Sequence, residues 1–303
     1  MITPCPNCNS LAQKKFSVGD LNQNMSKVQF DYYKCNFCQV IFISPIPKDL
    51  KSYYGSKYCA YQQTTIDEIK KTTAGDQNKL HVVQQAAKGE KLLEIGPGSG
   101  AFAYLAKQAG FVVDAIEMDT SCCEILENTI EINKTINSSD IAETLSNLNV
   151  KYDVIVMWQV IEHLTNPWEV FRKISETLAK GGVLILATPN PESLHFTILK
   201  QYWMHVDAPR HITLIPQRTL VNFLSTLGLR RTVVTTKGEL NTQHSSIENW
   251  RRSLDNFNRG SPPSIIKTIL INIAWRKVTF NVISWFEKIN GKGSSYLAVF
   301  EKE

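Results

Sequence analysis

The sequence predicts an α/β fold, a largely parallel sheet built from strand and helix repeats, with a small cysteine-bearing module in front of it. Three observations predict this. An apolar strand at 91–95 runs directly into three closely spaced glycines and then a helical pattern. Further apolar runs at 111–116, 152–157, 183–188 and 229–236 alternate with segments of helical periodicity. Four of the seven cysteines fall in two CxxC pairs ahead of that pattern.

The strand and its glycine turn organise the rest. In KLLEIGPGSG, Lys91 to Ile95 reads as a buried parallel strand, followed by Gly96, Gly98 and Gly100 and by the helical spacing of Phe102, Leu105, Ala106 and Ala109. Glycines accept unusual dihedrals and carry no Cβ, so a ligand can lie on backbone N–H groups at the helix start. A glycine turn alone also serves as a plain strand-to-helix connection, and two acids argue for a ligand. Gly110 ends the helix, Phe111 to Ile116 is the second strand, and Glu117 follows it, 21 residues after Gly96. An acid there can accept both ribose hydroxyls of an adenosine. Glu94, just before the turn, would repel a phosphate and attract an ammonium. The expected ligand is an adenosine with a cationic, phosphate-free tail.

With Glu94-Ile95-Gly96-Pro97-Gly98, YDVIVMWQVIEHLTNP (Tyr152 to Pro167) and GGVLILATPN (Gly181 to Asn190), the chain resembles the class I S-adenosylmethionine-dependent methyltransferases from Gln85 to Gly238. The resemblance implies a Rossmann-like sheet of seven strands, the last antiparallel. It implies S-adenosylmethionine held by Glu94, Gly96, Pro97, Gly98, Gly100 and Glu117, with Met118 flanking the adenine and Asp140, beside Ser139 and Ile141, near its amino group. Trp158 and Gln159, ending the fourth strand, are further cofactor-binding candidates, and from the carboxyl end of that strand Gln159, Glu162 and His163 are expected to project toward the reactive methyl or the helix behind it. Many relatives carry an acid or another polar residue where Gln159 stands.

Composition sets bounds. The 303 residues suffice for one large domain and an accessory one, and 43% hydrophobic content is that of a globular protein. The net charge of +5 permits an anionic partner without demanding nucleic acid. The start, MITPCPNCNS, lacks the apolar run of a signal peptide, so a cytoplasmic location is expected, with a peripheral membrane contact left open.

In chain order, Cys5, Cys8, Cys35 and Cys38, with 26 residues between the pairs, suit a structural zinc ribbon over 1–47. The intervening chain is polar and then strand-like at 29–34, so little core is expected without the metal. Such ribbons also precede the methyltransferase domain in a bacterial group that this chain resembles. The exit Ser44-Pro45-Ile46-Pro47 leads to Tyr53, Tyr54, Tyr58 and Tyr61, which suit either a substrate mouth or a packing seam. A helical linker over 48–84 breaks near Gly75-Asp76. The methyltransferase domain, 85–238 plus 294–303, continues with a helix from Ser121 to Asn133 whose Cys122 and Cys123 are small packing residues. A weak third strand at Lys134–Asn137 and the fourth at Tyr152–Met157 come next. Glu162 and His163 then either serve chemistry or brace the following helix, Val170 to Leu178.

After the fifth strand, KQYWMHVDAPRHITLIP (Lys200 to Pro216) is too polar for a core and reads as a loop over the open sheet end. Tyr202, Trp203, His205 and Arg210 are candidate acceptor-binding residues. His211 and His163 are candidate bases, with Asp207 able to orient His211 if the segment turns, although Pro209 favours an extended course. A helix at 217–227, a sixth strand and a seventh at Ser295–Glu301 complete the sheet. Residues 239–293 form a helical insertion, read as a lid, a dimer contact or, at 264–289, a membrane-surface helix.

The leading functional reading is methyl transfer to a small-molecule or lipid-like acceptor, at oxygen first, with nitrogen or carbon as alternatives. An RNA base methyltransferase is the runner-up, because some carry a four-thiolate ribbon. The chain has neither a Lys/Arg stripe near the cysteines nor an NPPY-type clamp. A non-catalytic cofactor scaffold is the third reading.

Overall fold

The glycine turn sits where the sequence places it, at the centre of a seven-stranded sheet. The structure is a computed structural model that describes residues 2–54, 65–236, 243–260 and 291–303, with nothing said of the side chains of 243–247. In chain order the elements are β1 (Ile2–Pro4), β2 (Leu11–Val18), β3 (Phe30–Cys35), β4 (Ile41–Ile43), α1 (Ile66–Thr72), α2 (Gln77–Ala86), β5 (Lys91–Ile95), α3 (Ala101–Gln108), β6 (Val112–Glu117) and α4 (Thr120–Ile125). Then follow β7 (Lys134–Asn137), α5 (Ile141–Ser146), β8 (Tyr152–Trp158), α6 (Pro167–Thr177), β9 (Leu178–Pro189), α7 (Leu194–Leu199), β10 (Thr213–Leu214), α8 (Gln217–Ser225), β11 (Leu229–Thr235), α9 (Gln243–Gly260) and β12 (Ser295–Lys302).

The large sheet runs β11-β12-β9-β8-β5-β6-β7. Its pairs from β9 through β7 are parallel, and β12 lies antiparallel to both neighbours. Strand order reverses beside β5, which opens a crevice past the carboxyl ends of β5 and β8. Both faces are covered, as the apolar runs require. Leu93, Ile95, Ile155, Met157, Leu184 and Leu186 face α6 and α8. Leu92, Val113, Val154, Val156 and Ile185 alternate onto the other face, against Phe102 and Ala106 of α3. The linker helix breaks at 73–75 as expected, and α1 starts with a capping box between Thr65 and Glu68. The helix expected from Ser121 to Asn133 instead leaves the α form after Ile125 and ends in a π turn at Leu126–Ile130, with Glu131 at φ 55°.

The N-terminal module departs most from expectation. Its polar stretch hides β2, whose alternating Leu11–Val18 pattern turns Ala12 and Val18 inward while Gln13, Lys14 and Lys15 stay exposed. The small antiparallel sheet runs β1-β2-β3-β4-β10, so its last strand comes from the 200–216 segment rather than from the ribbon. The expectation of little core is therefore corrected. Phe30, Tyr32, Ile41 and Ile43 pack with Trp203, Ile212, Trp250 and Leu254 into one buried cluster. The 200–216 segment, read as too polar for a core, supplies much of it, because its charged groups Asp207 and Arg210 are paired rather than solvated.

Among the described residues, no helix is long and apolar enough to cross a membrane. The proposed membrane-surface stretch 264–289 lies outside the described residues, as do Tyr58 and Tyr61. The described part of the insertion, α9, lies on the 200–216 segment. Ser253 Oγ accepts from the Met204 amide at 2.9 Å.

Candidate active site

A cavity of about 1360 Å³ opens past the ends of β5, β6 and β8. A single bound molecule usually occupies roughly 300–1,000 Å³, so this one has room for a cofactor and an acceptor together.

The glycine turn forms one wall. Gly96 and Gly100 hold φ of 70° and 85°, and a Cβ would meet Val160 Cγ2 at 2.7 Å in the first case and Ile130 Cδ1 at 2.4 Å in the second. Only glycine satisfies both limits. Glu94, one residue before the end of β5, has its side chain buried, and burial pushes its carboxyl up to about 8. Its Oε2 has no hydrogen-bond partner among the described residues. Such an orphan, costly when left alone, matches an ammonium arriving with a ligand. Glu117 is held more firmly than its sequence position suggests. Its Oε2 accepts from the Gly98 amide at 2.9 Å, and its Oε1 accepts from Met118 at 2.7 Å and Asp119 at 2.9 Å. Burial raises its carboxyl pKa while these amides lower it.

Pro97, Met118, Asp140, Trp158 and Gln159 also line the cavity. Asp140 additionally caps α5 by accepting from the Glu143 amide at 2.9 Å. Gln159 holds φ 58°, an uncommon conformation for a residue with a side chain, at the mouth of β8.

The same cavity takes in Glu162, His163, His205, Asp207 and His211. His163 and His211 meet edge to face with ring centroids 4.5 Å apart. His211 Nδ1 lies 2.8 Å from the His205 carbonyl, and His163 Nδ1 lies 2.9 Å from the Tyr54 hydroxyl. A carbonyl can only accept, so His211 carries its proton on Nδ1 and leaves Nε2 as an acceptor. Burial lowers His163 to about 3, His205 to about 3 and His211 to about 4, so all three are neutral above pH 5. Burial pushes Glu162 up to about 8. Its Oε2 accepts from Thr188 Oγ1 at 3.0 Å, and its backbone carbonyl accepts from the Ile212 amide. Glu162 thus does brace the fold, but onto β9 and the 200–216 segment.

Three expectations for that segment need correction. Pro209 does not extend it: the chain turns, with the His211 amide donating to the Asp207 carbonyl at 2.9 Å. The Asp207 carboxylate, read as an orienter of His211, is instead held by Arg210, by Nε at 2.8 Å and Nη2 at 2.6 Å, and by Asn22 Nδ2 at 2.7 Å. Burial works against its charge, but these bonds keep its pKa below the usual value. Arg210, Trp203 and Tyr202, read as acceptor-binding, do not line the cavity. Arg210 is fully buried between Asp207 and Asp20, whose Oδ1 lies 2.6 Å from Nη2. Trp203 is fully buried against Phe196, with ring centroids 5.4 Å apart, and Tyr202 packs on Phe257 at 5.1 Å.

Sequence reading missed Asn22, Leu50 and Lys51 from the N-terminal part and Arg252 from α9, all of which line the cavity. No local motif marks them, since tertiary packing alone brings them there. Away from the cavity, the Sγ atoms of Cys5, Cys8, Cys35 and Cys38 lie within 4.8 Å of one another, and the Cys5–Cys38 and Cys8–Cys35 pairs are 3.5 Å apart. Tetrahedral coordination with bonds of about 2.3 Å puts sulfurs about 3.8 Å apart, so the four thiols fit such an ion.

A model of the methyltransferase domain family matches residues 69–234, more than half of the chain. Among curated proteins, the chain is similar to the ubiquinone biosynthesis O-methyltransferase of Haemophilus ducreyi, 32% identical over 110 residues, or 34% of this chain and 46% of that protein. It is also similar to the protein of that name from Caulobacter sp. (strain K31), 30% identical over 107 residues, or 34% of this chain and 42% of that protein. The chain thus spans about half the length of the curated relatives it matches. A solved SAM dependent methyltransferase from Archaeoglobus fulgidus shares the fold at a TM-score of 0.52, with 17% identity over 77% of this chain and 94% of that one.

Proposed function

The chain belongs to the methyltransferase domain family as a class I S-adenosylmethionine-dependent enzyme, and from that premise we propose that it methylates a hydroxyl oxygen of a small-molecule or lipid-like acceptor. One observation carries this reading. One cavity joins an orphaned Glu94 carboxylate and open glycine-turn backbone to a cluster of neutral imidazoles. The printed name of the curated relatives, O-methyltransferase, supports oxygen as the accepting atom.

S-adenosylmethionine supplies an activated methyl group on a sulfonium. Glu94 would receive the ammonium of its tail, the backbone of the turn from Gly96 to Gly100 would hold the nucleoside, and Glu117 would shape the ribose end through the Gly98 amide, which donates to its Oε2. His211 Nε2 takes the acceptor's hydroxyl proton as the oxygen bonds to the methyl carbon and the sulfur keeps the electron pair of the broken bond. The bond from Nδ1 to the His205 carbonyl holds the ring, and the nearby Asp207 charge favours the imidazolium that forms. Alignment of oxygen, carbon and sulfur in a dry cavity supplies much of the rate. The four cysteines would hold one structural zinc ion, which would clamp the small sheet that shares β10 with the His211 segment.

Labelled cofactor incubated with purified protein and cell extract, then fractionated, tests the acceptor class. Label in a small-molecule or lipid fraction supports the proposal, and label confined to RNA overturns it. With the acceptor in hand, His211→Ala lowers kcat by roughly 10²-fold or more.

A further inference from the structure

We propose that the acceptor carries an anionic group, a carboxylate or a phosphate, received by Gln23, Lys51 and Arg252 where the N-terminal module and α9 wall the cavity. That the anion belongs to an acceptor rests on the methyl-transfer reading, whereas the anion site itself stands on the charges that line the cavity. Those charges are divided. Glu94 and Glu117 lie near the ends of β5 and β6, and Asp140 and Glu143 at the start of α5, so these acids gather past β5, β6 and β7.

The other lining acids are already answered. Asp76 pairs with Lys79 at 2.6 Å, Glu169 with Arg172 at 3.0 Å and Asp207 with Arg210 at 2.6 Å, and burial pushes Glu162 up to about 8. Lys51 and Arg252 line the same cavity, are exposed, and make no ion pair among the described residues. The Gln23 carboxamide, with no hydrogen-bond partner among the described residues, adds neutral donors beside them. An Arg guanidinium forks onto two oxygens of a carboxylate or phosphate, and a Lys ammonium adds a point charge.

Three segments far apart in sequence bring these donors together, and each is pinned within two residues of its donor. Asn22, next to Gln23, donates to the Met204 carbonyl and to Asp207 Oδ1, both at 2.7 Å, and accepts from Asn256 of α9 at 2.7 Å. The Tyr53 carbonyl, two residues after Lys51, accepts from Arg210 Nη1 at 3.2 Å. Ser253, next to Arg252, accepts from the Met204 amide. The segment that carries His211 is thus the common support, and donors on an anchored backbone lose less freedom when a ligand binds. His205 links this end to the base. Its ring lies nearly parallel to that of His211, with centroids 6.2 Å apart, and burial first, then the charges of His195 and Arg252, lower it to about 3. Arg252 therefore stands on the base side of the cavity, which assigns its anion to the acceptor.

Calorimetry of benzoate and of phenyl phosphate against full-length protein loaded with S-adenosylmethionine tests the site, with benzyl alcohol as the uncharged control. The two anions distinguish a carboxylate from a phosphate. At least one is expected to bind ten times or more tightly than the control. The double variant Lys51→Gln/Arg252→Gln should weaken that binding at least tenfold, with cofactor affinity and near-ultraviolet circular dichroism unchanged. Equal binding of all three probes, no binding of either anion, anion binding unchanged in the folded variant, or a parallel loss of its cofactor affinity would each overturn the site, the last because the cations would then serve the cofactor. Labelled product from the cell extract should be retained by an anion exchanger, and a neutral product would overturn the acceptor class. Anion binding with no labelled product from any fraction would instead sink the methyl-transfer reading and leave the anion site standing.

Discussion

Replacing Arg210 by Met should destabilise the protein more than any change to its acidic partners. The guanidinium lies between two carboxylates, with Nη2 2.6 Å from both Asp207 Oδ1 and Asp20 Oδ1, Nε 2.8 Å from Asp207 Oδ2, and Nη1 3.2 Å from the Tyr53 carbonyl. Arg210 and Asp20 are wholly buried. Met preserves apolar volume but leaves two buried carboxylates facing each other without their cation. Removing one partner of a buried pair costs about 3–5 kcal/mol. In Asp20→Asn, by contrast, Arg210 keeps its two-bond pairing with Asp207, and the cluster goes from one excess negative charge to none. The loss there is confined to charge-assisted bonds worth about 1–3 kcal/mol in sum. Arg210→Lys should recover only part of the loss, because a single ammonium cannot fork between both acids. Urea denaturation of the full chain with linear extrapolation measures all three. A loss below about 1 kcal/mol for Arg210→Met, or a larger loss for Asp20→Asn, would refute the assignment of Arg210 as a buried cross-brace.

Other expectations follow from the same geometry. Elemental analysis should find one zinc ion lost on Cys35→Ser, and that variant should lose turnover while cofactor affinity holds, because β10 ties the small sheet to the His211 segment. Unchanged turnover in the zinc-free variant would sever that link. Glu94 has a folded pKa of about 8 against roughly 4.3 unfolded, so its stabilising contribution is complete below pH 4 and is lost as pH rises through 8. The stability of the cofactor-free wild type relative to Glu94→Gln should therefore fall between pH 6 and 8 by up to about 1.4 kcal/mol per pH unit. A flat difference would mean that Glu94 is already ionised.

The cofactor half of the site is legible in the sequence because it is local. Strand, turn and following acid lie within Lys91 to Glu117, and the backbone conformations that demand Gly96 and Gly100 are set by neighbours in the same unit and by Val160. The acceptor half is built by contacts that no spacing records. Arg210 reads as an exposed cation until Asp20, 190 positions earlier, is beside it. The same holds for Asn22, which bonds both Asp207 and Asn256 across the chain. Strand β2 escaped notice because Gln13, Lys14 and Lys15 make it look solvated. Only Ala12 and Val18 are buried, with Phe16 half-buried against Tyr32 and Phe196. His163 and His211 stand 48 positions apart and read as alternative bases, and their edge-to-face contact makes them one cluster.

Calorimetry of S-adenosylmethionine against the wild type and Glu117→Ala tests the central claim most directly. The account predicts one site per chain in the wild type. It predicts affinity weaker by about 10- to 100-fold in the variant, which loses charge-assisted bonds of about 1.5–3 kcal/mol at the ribose end and the anchor of the Gly98 amide. Absence of binding by the folded wild type, or equal affinity in the two proteins, would contradict it.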